Sequence, residues 1–115
     1  MPFDGTLALQ SEDLVKLRVA LDGVRNQWAI GKLGLAPQGD HCALGWLLVA
    51  TDWDKDEATR LAIDYVWPAL PPKAQGHDGK LRSIYSYNDN HSHKSIVDLF
   101  TKAVELAEEK VLAVR

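Results

Sequence analysis

The sequence predicts an all-α fold, a compact bundle of about four helices with one long ordered loop before the last helix. Three segments carry apolar stripes at helical spacing, and a fourth is a long apolar run in which helix is favoured over strand. The chain has 115 residues, of which 46% are hydrophobic and 25% are charged. These values are close to the globular average, and the length indicates a single domain spanning 1–115.

The first predicted helix begins at 11–13, where a serine cap is followed by two acids. Its apolar residues recur every three or four positions and are Leu14, Leu17, Leu21, Val24 and Trp28. We expect Gly31 and Gly34 to end this helix, because glycine accepts the left-handed conformation of a helix C-terminus.

The second predicted helix covers 41–52, with Asp40 as its N-cap. It is apolar on nearly every side, which is typical of a helix buried inside a bundle. A buried strand is the competing interpretation. Helix is favoured because the run is long and its only β-branched residues are Val49 and Thr51.

The third predicted helix follows an acidic turn at 52–57. Its stripe comprises Ala58, Leu61, Ala62, Tyr65, Val66 and Ala69. Pro68 disfavours helical geometry at Trp67, so we expect the helix to end or kink there.

The last predicted helix is amphipathic, and its cap is expected within 88–95. Its stripe comprises Ile96, Phe100, Ala103, Val104, Ala107, Val111 and Val114. Before it, 71–94 lacks clear periodicity, and loops of that length are usually functional or disordered. Within this loop, 84–87 fits a short extended segment.

Composition and charge exclude several classes of protein. The net charge of -3 excludes a generally basic nucleic-acid binder, and a single cysteine excludes an internal disulfide. We find no targeting signal, and the longest apolar run, Ala43–Ala50, is far shorter than the roughly 20 residues of a membrane span. We therefore expect a cytoplasmic protein. Dinucleotide, P-loop, zincin and hydrolase motifs are absent, so no cofactor is expected.

Cys42 is the first candidate for chemistry, because the amides of a helix start lower the pKa of a nearby thiol. It would act as a nucleophile with groups from distant positions. The candidate base is His77, His91 or His93, and the candidate orienting group is Asn88 or Asp89. In the alternative interpretation Cys42 is a small buried hydrophobic residue.

The 71–94 segment is the second candidate, since it is a basic island in an acidic chain. Its cations are Lys73, Lys80, Arg82 and Lys94, and it also carries Tyr85 and Tyr87. Cations that pair with phosphate and aromatics that stack on bases suit a nucleotide. Its histidines with nearby carboxylates suit a divalent metal, although a second pair at metal spacing is missing. The alternative is a solvated polar loop.

The tryptophans divide into two groups. Trp28, Trp46 and Trp67 lie on or near apolar faces and are expected in the core. Trp53 follows an acidic turn, and an exposed tryptophan there would be a natural anchor for a partner. The candidate binding residues are Trp28, Trp53, Tyr87, Lys80 and Arg82.

Three motifs carry a resemblance: Trp28-x-x-Gly31, Cys42-x-x-Gly45-x-Leu47, and Asn88-Asp89 before the final helix. Over about 24–104 the chain resembles a family of small uncharacterised proteins from bacteria and their phages. That family carries Trp-x-x-Gly, Cys-x-x-Gly-Ala-Leu and Trp-Asn-Asp. This chain departs from it at Trp46 and at Tyr87.

The resemblance implies no catalytic role, and it marks Cys42 and 88–89 as matched polar positions. These positions meet if the two helix ends pack together. In one account the contact is structural, with Asn88 or Asp89 capping the last helix. In the other, the same groups surround a shallow pocket with Tyr87 and Trp28.

Taken together, these features favour a helical module that binds a protein partner and has no catalysis of its own. The expected surfaces are 71–94 and the turn at Trp53. One alternative is a thiol-dependent hydrolase or transferase using Cys42, and another is a metal or nucleotide binder through 71–94. Nucleic acid and membrane are disfavoured as partners, and both monomer and homodimer stay open.

Overall fold

Helices make up the architecture in the computed structural model, which describes residues 5–28, 42–76 and 79–113. Across those ranges we find no strand, so the all-α prediction is confirmed. In chain order the elements are α1 (Gly5–Asn26), α2 (Ala43–Ala50), α3 (Lys55–Leu61), a π-helical segment (Ala62–Val66), α4 (Trp67–Ala69), a 3₁₀ turn (Pro72–Gln75), α5 (Lys80–Asn90) and α6 (His93–Ala113).

Helix α1 starts earlier than the sequence predicts and ends at Asn26, so the expected end at Gly31 and Gly34, which lie outside the described residues, is wrong. Its stripe is confirmed, since Leu17, Leu21 and Val24 are buried. The expected start at 11–13 is wrong, because Asp13 is not a first-turn acid. Asp13 lies in the third turn, is only 3% exposed and accepts hydrogen bonds from distant side chains.

A buried ionic network joins α1 to α3 and the π-helical segment. Asp13 accepts two hydrogen bonds from the Arg60 guanidinium and one from the Tyr65 hydroxyl at 2.8 Å. Arg60 also bonds Glu57, and Glu57 bonds Lys16. Burial raises the pKa of the Tyr65 hydroxyl, and its bond to Asp13 adds to the rise. A buried carboxylate is tolerated when its oxygens are satisfied in this way.

Helix α2 is the buried helix of the bundle, as its all-round apolar pattern predicts. Its first five residues, 43–47, are buried, and α1 packs across them. Where the two helices cross, a Cβ on Gly23 would overlap the Trp46 ring, so only glycine allows this approach. The Trp46 indole then donates to the Gln27 carbonyl at 2.9 Å.

Pro68 does not end its helix. The chain stays helical to Ala69, and the five residues before Trp67 form the π-helical segment. Proline lacks an N–H and its ring collides with the carbonyl four residues earlier, so a wider turn relieves both problems. All six residues of the predicted stripe are buried, and the expected kink is realised as this widened turn.

Helix α5 occupies the region that the sequence predicts to be a loop. The loop prediction is wrong over 80–90, and 84–87 is helical rather than extended. Ser83, Ile84 and Asn88 are buried on one face. Because two of these three are polar, the face does not stand out as an apolar stripe.

Helix α6 begins within the predicted range, with Ser92 as its cap. The Ser92 hydroxyl accepts a hydrogen bond from the Ser95 amide at 3.2 Å, so neither Asn88 nor Asp89 caps this helix. The α6 stripe packs along α1 and against the π-helical segment. None of the described helices combines the length and apolar character that crossing a lipid bilayer requires.

Candidate functional site

Three residues of the sequence motifs meet where the end of α1, the start of α2 and the last turn of α5 come together. Asn88 Oδ1 accepts a hydrogen bond from Trp28 Nε1 at 2.7 Å and another from the Ala43 amide at 3.0 Å. Cys42 precedes Ala43 at the N-cap position of α2. We call this group of Trp28, Cys42, Ala43 and Asn88 the Asn88 junction.

The junction caps α2 from a different helix. Within the described structure, the Cys42 side chain makes no capping hydrogen bond to α2. Instead, the side-chain Oδ1 of Asn88, on α5, accepts a hydrogen bond from the Ala43 amide, which is the first amide of α2. Asn88 is 2% exposed, and a buried amide of this kind must be hydrogen-bonded to avoid a desolvation cost. The motif positions therefore do meet, but Asn88 caps α2, whereas the structural account expects it or Asp89 to cap the last helix.

The Cys42 thiol is 2% exposed. Burial raises its pKa, and the nearby negative charge of Asp89 adds to the rise. The amides of Gly45 and Leu44 favour the thiolate but offset only part of this effect. The result is a neutral thiol near pH 7, which agrees with the interpretation of Cys42 as a small buried residue and not with a thiol activated by the helix start.

The two described histidines near the junction bond to the backbone. His91 Nδ1 donates to the Tyr87 carbonyl at 3.0 Å, and its ring stacks on Tyr87. His93 Nε2 donates to the Val24 carbonyl, and its ring stacks on Trp28 with centroids 5.3 Å apart. Among the described residues, neither histidine is hydrogen-bonded to Cys42.

In the described structure no hydrogen bond joins the predicted nucleophile Cys42 to the predicted base His91. The triad of nucleophile, base and orienting group, with Asn88 or Asp89 as the third member, is therefore not assembled. Asn88 Oδ1 is engaged by Trp28 and Ala43, and Asn88 Nδ2 donates to Asp89. His77, the third candidate base, lies outside the described residues, as do Asp40 and His41.

The cations of the basic island are not gathered at one place. Lys80 Nζ lies 4.5 Å from the centre of the Trp67 ring, a cation–π contact.

A shallow depression of about 340 Å³ lies between the 3₁₀ turn and α5, with Lys73 as its lining cation. Its other lining residues are Pro71, Ala74, Ser83, Ser86, Tyr87 and His91. Of the predicted binding residues, Tyr87 lines it, whereas Lys80 and Arg82 do not. The described residues hold no group suited to bind a metal.

An apolar groove open to solvent separates α2 and α3 from α5. Its volume is about 190 Å³, and its lining residues are Leu44, Leu48, Lys55, Ala58, Thr59, Leu81 and Tyr85. We call it the α2–α5 groove. Burial raises the pKa of the Tyr85 hydroxyl, and the nearby negative charge of Asp89 adds to the rise. Two groove residues, Leu81 and Tyr85, lie four positions apart on α5. Their helical spacing is the sequence signal that could have pointed to the groove.

Trp53 lies at a strained turn beside the groove. Asp52 and Trp53 have positive φ values of 56° and 64°, which L-residues other than Asn and Asp rarely adopt. The Trp53 amide donates to the carbonyl of the groove residue Leu48 at 2.7 Å. Trp53 is 39% exposed, so the expectation of a partly exposed tryptophan at this turn is confirmed.

Comparison of the chain with protein-family models, with curated proteins and with solved structures yields no match. The resemblance to the bacterial and phage family therefore stays an expectation. Function is inferred below from the chemistry of the surfaces just described.

Proposed function

We propose that this chain is a helical module that binds a partner protein without catalysis of its own, and that the α2–α5 groove receives an apolar side chain of that partner. The observation that carries the proposal is the groove itself. Its walls are mainly leucine, alanine and tyrosine side chains with Lys55 and Thr59, it opens to solvent, and its residue Leu48 is hydrogen-bonded to the backbone of the exposed Trp53.

The size of the groove favours a protein anchor over a small molecule. Pockets that enclose a drug-sized ligand measure about 300–1,000 Å³, whereas this groove measures about 190 Å³. A single large side chain can fill such a space, and buried apolar anchors of this kind dominate the energetics of many protein interfaces.

The Trp53 turn supports the same surface. A bulky residue in the left-handed region costs roughly 1–2 kcal/mol, and strained residues of this kind cluster at binding and switching sites. At this turn the Trp53 amide is hydrogen-bonded to the carbonyl of the groove residue Leu48, and the Trp53 side chain is 39% exposed. Tryptophan in that position is the residue type most enriched in interface hot spots.

The Asn88 junction supports the absence of catalysis. Its thiol is buried and its pKa is raised, which opposes the thiolate that a nucleophilic enzyme needs. Its amide oxygen already accepts two hydrogen bonds from within the fold. These groups are therefore occupied in holding three helices together.

Site-specific photo-crosslinking tests the proposal. A photoreactive phenylalanine analogue replaces Tyr85 on the groove wall, and in a control chain it replaces exposed Lys102 on α6. Extract from the source cells is irradiated with each chain, in the presence of excess unlabelled competitor. The competitor is either the native chain or Leu48→Gln, whose fold is checked by circular dichroism.

Support for the proposal requires an adduct at position 85 that is absent at 102. That adduct must disappear with native competitor and persist with Leu48→Gln. If both competitors remove the adduct equally, or if no adduct forms at position 85, the groove is not the binding surface.

A further inference from the structure

We infer that the shallow depression between the 3₁₀ turn and α5 is a second binding site, and that it receives a small phosphate monoester. We call it the Lys73 depression, after the cation among its lining residues, which are Pro71, Lys73, Ala74, Ser83, Ser86, Tyr87 and His91. It shares no lining residue with the α2–α5 groove, so the inference goes beyond the proposed function.

Two elements that pack together form the walls of the depression. Helix α5 contributes Ser83, Ser86 and Tyr87, which are three or four positions apart and therefore share one helix face. His91 lines the same wall and directly follows the helix. The opposite wall is the 3₁₀ turn, which carries Lys73. The polar groups of the site therefore come from both walls.

Hydrogen bonds hold both walls in place. The Gln75 side-chain amide donates to the Leu70 carbonyl at 2.9 Å and to the Trp67 carbonyl at 3.3 Å, which fixes the turn against α4. On the other wall, His91 is bonded to the Tyr87 carbonyl, and the two rings stack with centroids 3.8 Å apart. A site held in this way loses little conformational entropy when a ligand binds.

The charge of the lining favours an anion. Lys73 is exposed, and within the described structure its ammonium makes neither an ion pair nor a hydrogen bond. None of the described lining residues is a carboxylate. Lys80 is held over the Trp67 ring, and neither it nor Arg82 lines the depression. The site therefore offers one lysine, which suits a single phosphate group rather than a polyanion.

The neutral polar groups favour phosphate over carboxylate. The Ser86 hydroxyl accepts a hydrogen bond from Asn90 Nδ2 at 3.4 Å, which leaves its own proton to donate. Because Nδ1 of His91 is bonded to the backbone, Nε2 is the ring nitrogen that remains for a ligand. A phosphate monoester presents acceptor oxygens to the lysine and the serine and, when singly protonated, a P–OH proton to this nitrogen. A carboxylate has acceptors only.

The volume fits a phosphate that carries a small organic group. The depression measures about 340 Å³, and sites for small molecules measure about 300–1,000 Å³. Pro71, Ala74 and the Tyr87 ring supply apolar surface beside the polar groups. Apolar lining with a few convergent polar groups is typical of small-molecule sites.

NMR titration of the full chain tests the inference with phenyl phosphate, inorganic phosphate and phenol. We expect phenyl phosphate to shift the backbone amide signals of Lys73, Ser86 and Tyr87 in a saturable way. Inorganic phosphate should shift the same signals with about tenfold weaker affinity, because it has no apolar ring to bury. Phenol should not saturate these signals, because it lacks the charge.

Matched variants assign the binding to the depression. Lys73→Gln should weaken binding of phenyl phosphate by about tenfold, because a hydrogen bond between two charged groups is lost. Ser86→Ala should weaken it by about threefold, because one neutral donor is lost. The control, Lys102→Gln, removes an exposed lysine from α6 and should leave the affinity unchanged.

Three results would overturn the inference. Equal losses in Lys73→Gln and Lys102→Gln would show a general attraction of phosphate to lysines. Equal affinities for phenol and phenyl phosphate would show that the depression binds rings without regard to phosphate. Absence of saturable shifts at positions 73, 86 and 87 would show that no such site exists. None of these results bears on crosslinking at position 85, which tests the proposed function separately.

Discussion

The two ends of α5 have different roles. Its last turn enters the Asn88 junction, where Trp28, Cys42 and Asn88 are closely packed and Asn88 accepts hydrogen bonds from Trp28 and Ala43. Its earlier turns form a wall of the α2–α5 groove, where Leu81 and Tyr85 line an opening to solvent. A single helix of eleven residues thus closes the fold near its end and leaves apolar surface open nearer its start.

The difference shows that unusual residues and functional surfaces need not coincide. The junction holds the residue types that sequence reasoning singles out, namely a lone cysteine, an asparagine and a tryptophan. The cysteine and the asparagine are buried and the tryptophan is partly buried, and buried polar groups in native proteins are usually engaged in holding the structure. The groove is built from common apolar residues, and it becomes noticeable only because neighbouring elements fail to cover them.

The junction should show the largest loss of stability. Asn88→Leu leaves the Trp28 indole and the Ala43 amide without their acceptor, and each buried unsatisfied donor costs about 1–3 kcal/mol. We expect the free energy of unfolding in urea to fall by about 3 kcal/mol. The control Asn90→Ala, at an exposed position of the same helix, should change it by less than about 0.5 kcal/mol. A loss below about 1 kcal/mol for Asn88→Leu would mean that the junction does not close the fold.

The contact behind the junction should show the next largest effect. Gly23→Ala places a Cβ against the Trp46 ring and forces α1 and α2 apart. Overpacking of this kind typically costs about 1–3 kcal/mol, and we expect about 2 kcal/mol by thermal or urea unfolding. Gly76→Ala is the matched control, because the nearest atom to its added Cβ lies 3.9 Å away. Equal effects at the two glycines would show that α1 and α2 do not approach this closely.

The buried thiol should make stability depend on alkaline pH. Because burial raises the pKa of Cys42 in the folded state, the thiol ionises first in the unfolded chain. Its contribution is fully present below the unfolded pKa of about 8.5 and is lost as the pH rises; one pH unit above that value the loss is about 1 kcal/mol. Urea unfolding of the native chain and of Cys42→Ala across this range measures the difference. Rapid alkylation of native Cys42 near neutral pH would instead support the thiol-dependent enzyme.

The groove should show the smallest change in stability together with a large change in binding. Trp53→Gly relieves the positive φ, and this gain offsets much of the loss from the added freedom of the unfolded chain and from the contacts of the covered part of the indole. We expect the free energy of unfolding to stay within about 1 kcal/mol, and crosslinking at position 85 to fall by about tenfold. Undiminished crosslinking would remove Trp53 from the binding surface.

Sequence reasoning succeeded where the signal is local. The stripes of α1, α3 and α6 are confirmed because each buries residues at a period that the sequence displays directly. It failed at 11–13, where a serine followed by two acids is typical of a helix start. Asp13 instead lies within α1 and is a buried hydrogen-bond acceptor for Arg60 and Tyr65. It failed again at α5, because two of its buried residues, Ser83 and Asn88, are polar and the buried face therefore does not show as an apolar stripe.

By itself, the sequence determined the all-α class and the buried character of α2. These features follow from periodicity and from residue types that lie within a few turns of one another. The tertiary structure alone decided that Asn88 caps α2, that Cys42 is buried and neutral, and that Leu48 and Tyr85 share an open groove. Each of these depends on residues about 40 positions apart, and burial is a property of the neighbours that the fold brings together.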